Sequence, residues 1–157
     1  MIELSTLKIF GDLLIAAALG ALIGLEREWA RKDPGIRTFT FVSLGSALFV
    51  ILGKLIVFNS SFENLDPTRI LGQVIVGIGF LGAGIIIFQK EEGRLRGITT
   101  ASMFWVAAGI GSAVGLGYYQ IAIFVTLLVG MMNLILRPLE YKIDRKIDKI
   151  KEKKDIV

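Results

Sequence analysis

The stretch RILGQVIVGIGFLGAGIIIFQ, from Arg69 to Gln89, decides the fold of this chain. It has no charged residue after Arg69 and is long enough to cross a bilayer, which takes about 20 residues in a helix. The letters GIGFLG at 77–82 match a G-x-G-x-x-G nucleotide pattern, but that pattern needs a preceding strand and an acidic residue about 20 positions later. This chain has Ala101, Ser102 and Met103 there. The glycines are therefore predicted to pack helices within a membrane.

The overall composition supports a membrane protein. Hydrophobic residues make up 54% of the chain and the mean hydropathy is +0.67, more than a soluble domain of this size can bury. The absence of Cys and His excludes disulfides, thiolate or imidazole metal sites and histidine-based triads. The usual pairs of nucleophile and base are missing, so the chain is not expected to be an enzyme.

Five apolar runs flank and include the opening stretch. They predict an all-α, polytopic bundle of five transmembrane helices over residues 1–137, with spans at about 7–25, 37–58, 69–89, 97–116 and 118–136. Residues 138–157 form a basic amphipathic cytoplasmic tail. Two interpretations of this tail remain open: a helix lying on the inner leaflet, or a solvated extension of the fifth helix beyond Pro138.

The basic residues predict the orientation. Most of the 18 lie in the first connection, the third connection (Lys90, Arg94 and Arg96) and the tail. The positive-inside rule then places the N-terminus outside and the C-terminus inside. This distribution explains the pI near 9.5 without a nucleic-acid partner. Lys54, near the outer end of the second span, is expected to snorkel toward the membrane surface.

Small residues predict where the helices touch. Helices in lipid associate where small side chains let their backbones approach. The candidate packing positions are Gly20, Gly24, Gly77, Gly79, Gly82, Gly84, Gly111 and Gly115. Their number predicts a tight bundle or an intimate homodimer. The alternative is that glycine lets a helix unwind and expose carbonyls to an ion.

The polar residues within the spans are the candidates for function. Asp12 either faces a cavity or partner, or pairs with Lys8 one turn earlier. Glu26 and Glu28 either pair with Arg37 or bind a divalent cation, since hard cations take oxygen ligands. A third interpretation, ordinary charge at the membrane interface, is preferred for Glu28. A second set, Gln73, Thr99 and Thr100, either lines a polar path or bonds across helices.

Four blocks, taken together, resemble a known family. GALIGLEREW (20–29), GIRTFTFVSLGSALF (35–49), DPTRILGQVIVGIGFLGAGII (66–86) and GITTASMFWVAAGIGSAVGLG (97–117) are similar to the signature blocks of the MgtC/SapB membrane proteins. The resemblance implies an inner-membrane protein, usually with five spans, that is linked to magnesium limitation and cation homeostasis. It also implies action on other membrane proteins, ATP synthase among them, although the family is often described as magnesium transporters.

The resemblance carries over to individual polar positions, and it fails at two points. The matched residues are Glu26, Arg27, Glu28, Arg37, Thr38, Asp66, Arg69, Gln73, Thr99 and Thr100, of which Arg27, Glu28, Arg37, Asp66 and Arg69 are expected to form an interfacial charge network. Many members have a His where this chain has Phe39. Many also continue into a cytoplasmic ACT-like domain, whose regulation is expected to be absent here or supplied by another chain.

Two functions follow from the sequence. The first is a non-enzymatic regulator or binding partner within the membrane, acting in the homeostasis of a cation such as magnesium. The second is a small dimeric cation transporter with Asp12, Glu26 and Gln73 on its path. The expected partners are the lipid bilayer, a second copy of the chain and another membrane protein. Mg²⁺ is expected only as a ligand, with no other cofactor.

Overall fold

The described part of the chain is entirely helical. The computed structural model describes residues 6–59, 66, 68–88 and 97–154, and these ranges contain no strand. The helices are α1 (Thr6–Trp29), α2 (Ile36–Asn59), α3 (Thr68–Phe88), α4 (Ile98–Leu116) and α5 (Tyr119–Lys154). Each contains a segment that is long and apolar enough to cross a membrane. The predicted all-α fold with five spanning helices is confirmed. The basic residues of the third connection lie outside the described residues.

Close contact among α1, α2 and α4 forms the core. A Cβ atom added to Gly20 of α1 would lie 2.6 Å from the carbonyl oxygen of Phe39 and 2.7 Å from Cβ of Ser43, both in α2. Gly111 of α4 packs against the backbone carbonyl of the same Ser43. The Ser43 hydroxyl donates a 2.7 Å hydrogen bond to the carbonyl of Ala16. One serine thus lies between two glycines, and no larger residue fits at either glycine without moving a backbone.

The other predicted packing glycines fall into two groups. Gly24 packs against Ile36, Gly115 against Ala47 and Val50, and Gly82 against Ala101. The remaining three, all in α3, have no atom within 4 Å of an added Cβ: Gly77, Gly79 and Gly84. Their role in packing stays a prediction, because it needs a neighbour other than the residues that the structure describes.

Phe39 of α2 is one of the most deeply buried side chains among the described residues. Its side chain is fully buried, and its ring meets that of Phe104 edge to face, with centroids 5.1 Å apart and planes at 70°. This geometry is favourable for aromatic pairs. The residue is therefore part of the contact between α2 and α4.

The C-terminus of α4 is closed by two different devices. Gly117 adopts a left-handed conformation (φ 90°), and the amides of Gly117 and Tyr118 bond back to Val114 and Ala113. This is a Schellman motif, which glycine permits because it has no Cβ. The ammonium of Lys54 donates to the carbonyls of Gly115 and Leu116 at 3.2 and 3.4 Å. Lys54 therefore binds the negative end of the α4 dipole, which the snorkelling prediction did not include.

The chain divides into two compact units, one ending at Thr126 and the other beginning at Leu127. In the second unit α5 continues as a single helix through Pro138 to Lys154. The helical form of the tail thus agrees with both interpretations made from the sequence. Whether it lies on the inner leaflet stays a prediction.

Candidate functional site

A buried arginine lies at the end of α1 that precedes the first connection. Arg27 is only 5% exposed, and its Nη2 donates to the Thr100 hydroxyl at 2.6 Å and to the Asp33 carbonyl at 3.5 Å. The carboxylates of Glu26 and Asp33 attract its charge. Its Nε has no hydrogen-bond partner among the described residues. Arg27 and Thr100 therefore join α1 to the first turn of α4 through a charge-assisted hydrogen bond, shielded from solvent.

Glu28 shapes the turn between α1 and α2. Its Oε2 accepts a hydrogen bond from the backbone amide of Ile36 at 3.2 Å, and its side chain packs against Gly35. The carboxylate thus satisfies one of the free amides at the start of α2. Arg37, the partner expected from the sequence, makes no hydrogen bond or ion pair with any residue that the structure describes.

Asp12 lies toward the opposite end of α1 and is 5% exposed. The Tyr119 hydroxyl donates to its Oδ1 at 2.6 Å, and Lys8 Nζ lies 4.0 Å from its Oδ2. The pairing with Lys8 expected from the sequence is therefore present. Tyr119 is a partner that the sequence did not predict for Asp12. A buried tyrosine hydroxyl usually has a hydrogen-bond partner.

The candidates for a cation path are spread over the molecule. Asp12 and Glu26 are fourteen residues apart on one helix, or about 21 Å at 1.5 Å per residue. Gln73 lies on α3, where it lines a groove between α2 and α3. Thr100 bonds to Arg27, whereas Thr99 is exposed. The fold therefore does not bring Asp12, Glu26 and Gln73 together, and the described residues contain no group of three or more acidic side chains placed to hold a metal ion.

Asp66 and Arg69 belong to the start of α3. Asp66 Oδ1 accepts hydrogen bonds from the Thr68 amide at 2.8 Å and the Thr68 hydroxyl at 2.7 Å. These two bonds hold the pKa of the Asp66 carboxyl below its usual value, and the charge of Arg69 acts in the same direction. Asp66 is therefore an N-terminal cap of α3, a role that does not require a ligand.

Cavities lie on both sides of α3. The α2/α3 groove has a volume of about 670 Å³ and extends from Arg37 and Thr38 to Phe49 along α2. On the other side, a cleft of about 540 Å³ between α3 and α4 is lined by small residues, including Gly79, Gly82 and Ala83. The exposed glycines of α3 thus lie beside spaces that the described chain does not fill.

A known family matches residues 13–142, a range that includes part or all of every helix, and its description is the MgtC family. The chain belongs to the MgtC family. It is 39% identical over 135 residues to protein MgtC of Salmonella typhimurium, covering 85% of this chain and 54% of that protein. It is 42% identical over 124 residues to protein MgtC of Brucella abortus, covering 79% and 49%.

An uncharacterized protein of Synechocystis is similar as well, with 40% identity over 127 residues, or 81% of this chain and 51% of that protein. The chain spans about half the length of the curated relatives it matches. No solved structure matches it. Its five hydrophobic helices and its family together make this chain a multi-pass membrane protein.

Proposed function

We propose that this MgtC-family protein is a non-enzymatic regulator of magnesium homeostasis in the inner membrane, which acts by binding another membrane protein. The observation that carries the proposal is the unfilled surface of α3. Gly72 and Gly79 are seven residues apart, close to two helical turns, so they share one face, and Ala83 continues it. We call these three residues the α3 glycine face.

The α3 glycine face has the chemistry of a helix-docking surface. An added Cβ at Gly72 or Gly79 would meet nothing within 4 Å, and Ala83 is exposed. Small residues permit close backbone approach, which is what associates helices in lipid. The other glycine pairs in α1 and α4 are already occupied by α2. The partner that suits α3 is therefore a transmembrane helix with small residues of its own.

The alternative, a dimeric cation transporter, has one observation in its favour. Asp12 is a buried carboxylate within a spanning helix, and such residues often mark an ion pathway. Its bonds to Tyr119 and Lys8, however, already engage both of its oxygens. The distance from Asp12 to Glu26 also argues against a shared ion site within one chain.

Magnesium flux separates the regulator from the transporter. The purified protein is placed in liposomes that contain a magnesium-sensitive dye, beside empty liposomes and the Asp12→Asn variant. The expected result is the same slow leak in all three preparations. Magnesium entry that exceeds the empty liposomes and disappears in Asp12→Asn would overturn the regulator proposal.

Growth under magnesium limitation tests the docking surface. A bacterial host that lacks its own family member is supplied with the wild-type chain, Gly79→Leu or Gly11→Leu. Gly11 is the matched control, because it is a glycine in a spanning helix that also has nothing within 4 Å of an added Cβ. Growth is expected to require the wild-type chain or Gly11→Leu and to fail with Gly79→Leu. Full growth with a folded, membrane-inserted Gly79→Leu would contradict this use of α3.

A further inference from the structure

The α2/α3 groove has one closed end and one open end. At the closed end Gly53 of α2 packs directly against the side chain of Ile70 of α3, so the two helices touch. From there the lining of the groove extends to Arg37 and Leu81. Gly45 and Gly77 lie on its two walls, and neither has an atom within 4 Å of an added Cβ. The groove is thus a wedge between two antiparallel helices.

The length of the groove matches one leaflet of a bilayer. From Arg37 to Phe49 there are twelve residues along α2, or about 18 Å at 1.5 Å per residue. The hydrocarbon core of a membrane is about 30 Å thick, so one leaflet is about 15 Å deep. A partner helix would have to run the full thickness, and the contact between Gly53 and Ile70 closes that route. A single acyl chain fits the space better than a helix does.

The walls of the groove are apolar and its open end is cationic. The lining includes Phe41, Phe49, Val74 and Ile78. Arg37 is exposed at the open end and has no hydrogen bond or ion pair with the described part of the chain. The guanidinium of arginine is well suited to a phosphate, which it binds with two parallel hydrogen bonds.

Two further features favour a negatively charged headgroup at this end. The Thr38 hydroxyl also lines the groove, and it too makes no hydrogen bond with the residues that the structure describes. Arg31 and Lys32 are exposed in the nearby first connection. Clustered basic residues at a membrane surface attract anionic lipids.

From these observations we infer that the α2/α3 groove binds one anionic phospholipid, with an acyl chain between the two helices and its phosphate on Arg37 and Thr38. Gln73, which lines the groove about one helical turn from Ile70 at the closed end, then lies beside the acyl chain. This inference does not depend on whether the protein regulates or transports. Its failure would leave the magnesium experiments unaffected.

Native mass spectrometry of the whole chain tests the inference. The protein is delipidated in detergent and titrated with phosphatidylglycerol, with phosphatidylethanolamine or with inorganic phosphate. One phosphatidylglycerol is expected to bind about tenfold more tightly than phosphatidylethanolamine, because both lipids offer a phosphate but phosphatidylethanolamine adds an ammonium group that Arg37 and the nearby basic residues repel. Inorganic phosphate alone is expected not to bind, because it lacks the chain that the groove accepts.

Three variants assign the binding to the groove. Arg37→Gln is expected to abolish the preference for phosphatidylglycerol, and Gly77→Leu to weaken the binding of both lipids by filling the wedge. Arg69→Gln, which removes an exposed charge at the start of α3 and outside the groove lining, is expected to bind like the wild type. Circular dichroism confirms that each variant is helical. An unchanged preference in a helical Arg37→Gln would overturn the inference.

A cysteine beside the groove tests the competing occupant, a second copy of the chain. Because the chain has no native cysteine, Val76→Cys carries a single thiol, at an exposed position next to Gly77 that does not itself line the groove. When a spin label is attached to that thiol, its EPR spectrum is expected to broaden in vesicles that contain spin-labelled phosphatidylglycerol. The unlabelled thiol is expected not to form disulfide-linked dimers. Efficient dimer formation without lipid broadening would show that another copy fills the groove and would overturn the lipid assignment.

Discussion

The glycines of α1 and α4 and the glycines of α3 do opposite things. Gly20 lies against the Phe39 carbonyl and the Ser43 side chain, and Gly111 lies against the Ser43 backbone, so the absence of a side chain is what lets three helices meet. Gly77 and Gly79 lie beside open space. Both sets look alike in sequence, because small residues are common in membrane helices for several reasons. Glycines that contact a neighbouring helix therefore hold the bundle together, whereas glycines beside open space leave room for another molecule to bind.

Substitution at Gly111 is expected to have the largest effect. In Gly111→Ala the new methyl group collides with the Ser43 carbonyl, a backbone atom that cannot move without separating α2 from α4. The cost is expected to be about 3 kcal/mol in the free energy of unfolding, the upper range for overpacking. The melting temperature in detergent measures it.

The control for that substitution is Gly79→Ala in α3. Its methyl group meets nothing within 4 Å, so the melting temperature is expected to stay near that of the wild type. Equal losses of stability in Gly111→Ala and Gly79→Ala would remove the distinction between the two sets of glycines.

The contact between Arg27 and Thr100 gives the second expected effect. Thr100→Val keeps the side-chain shape but removes the hydroxyl that accepts from Arg27 at 2.6 Å. A buried charged donor that loses its acceptor costs about 2 kcal/mol. Thr99→Val is the matched control, because Thr99 is exposed and adjacent. Unfolding in a graded mixture of denaturing and mild detergent compares them, and equal midpoints for both variants would show that the Arg27 bond does not stabilise the fold.

The hydrogen bond between Tyr119 and Asp12 gives the third expected effect on stability. Tyr119→Phe removes the donor at 2.6 Å and leaves Asp12 with Lys8 alone. A loss of about 1 kcal/mol is expected, because Asp12 keeps a cationic neighbour. Tyr118→Phe, in which an exposed hydroxyl is removed next to the same site, is expected to change nothing measurable. The melting temperatures of the two variants are compared. A larger loss of stability in Tyr118→Phe than in Tyr119→Phe would contradict the role given to the Tyr119–Asp12 hydrogen bond.

The number and type of helices could be predicted from the sequence because both depend on local features. An apolar run of about 20 residues predicts a membrane-spanning helix wherever it occurs in the sequence. The Gly20, Gly24, Gly111 and Gly115 contacts were also predictable, since spacing of four residues places two glycines on one helix face. The charged connections add an orientation, which stays a prediction.

Contacts between distant residues could not be predicted in the same way. Arg27 and Thr100 are separated by 73 positions, and Tyr119 and Asp12 by 107. Nothing local to either residue specifies such a pair, because it depends on how the helices pack. The same reason explains why sequence spacing could not separate the occupied glycines of α4 from the open glycines of α3.

The cap at the start of α3 provides the smallest expected effect and extends the comparison to pH. The two bonds from Thr68 lower the pKa of Asp66 in the folded protein, so the ionised carboxylate stabilises the fold above the carboxyl's ordinary value near 3.8. That contribution is lost as the pH falls through the lowered pKa of Asp66 in the folded protein.

In Thr68→Val the hydroxyl donor is gone, and the pKa of Asp66 in the folded protein moves back up. The difference in melting temperature between wild type and variant is expected to be small at pH 7 and to shrink as the pH falls below about 3.8. A difference that persists unchanged at pH 3 would show that Thr68 acts on α3 by some route other than the Asp66 carboxylate.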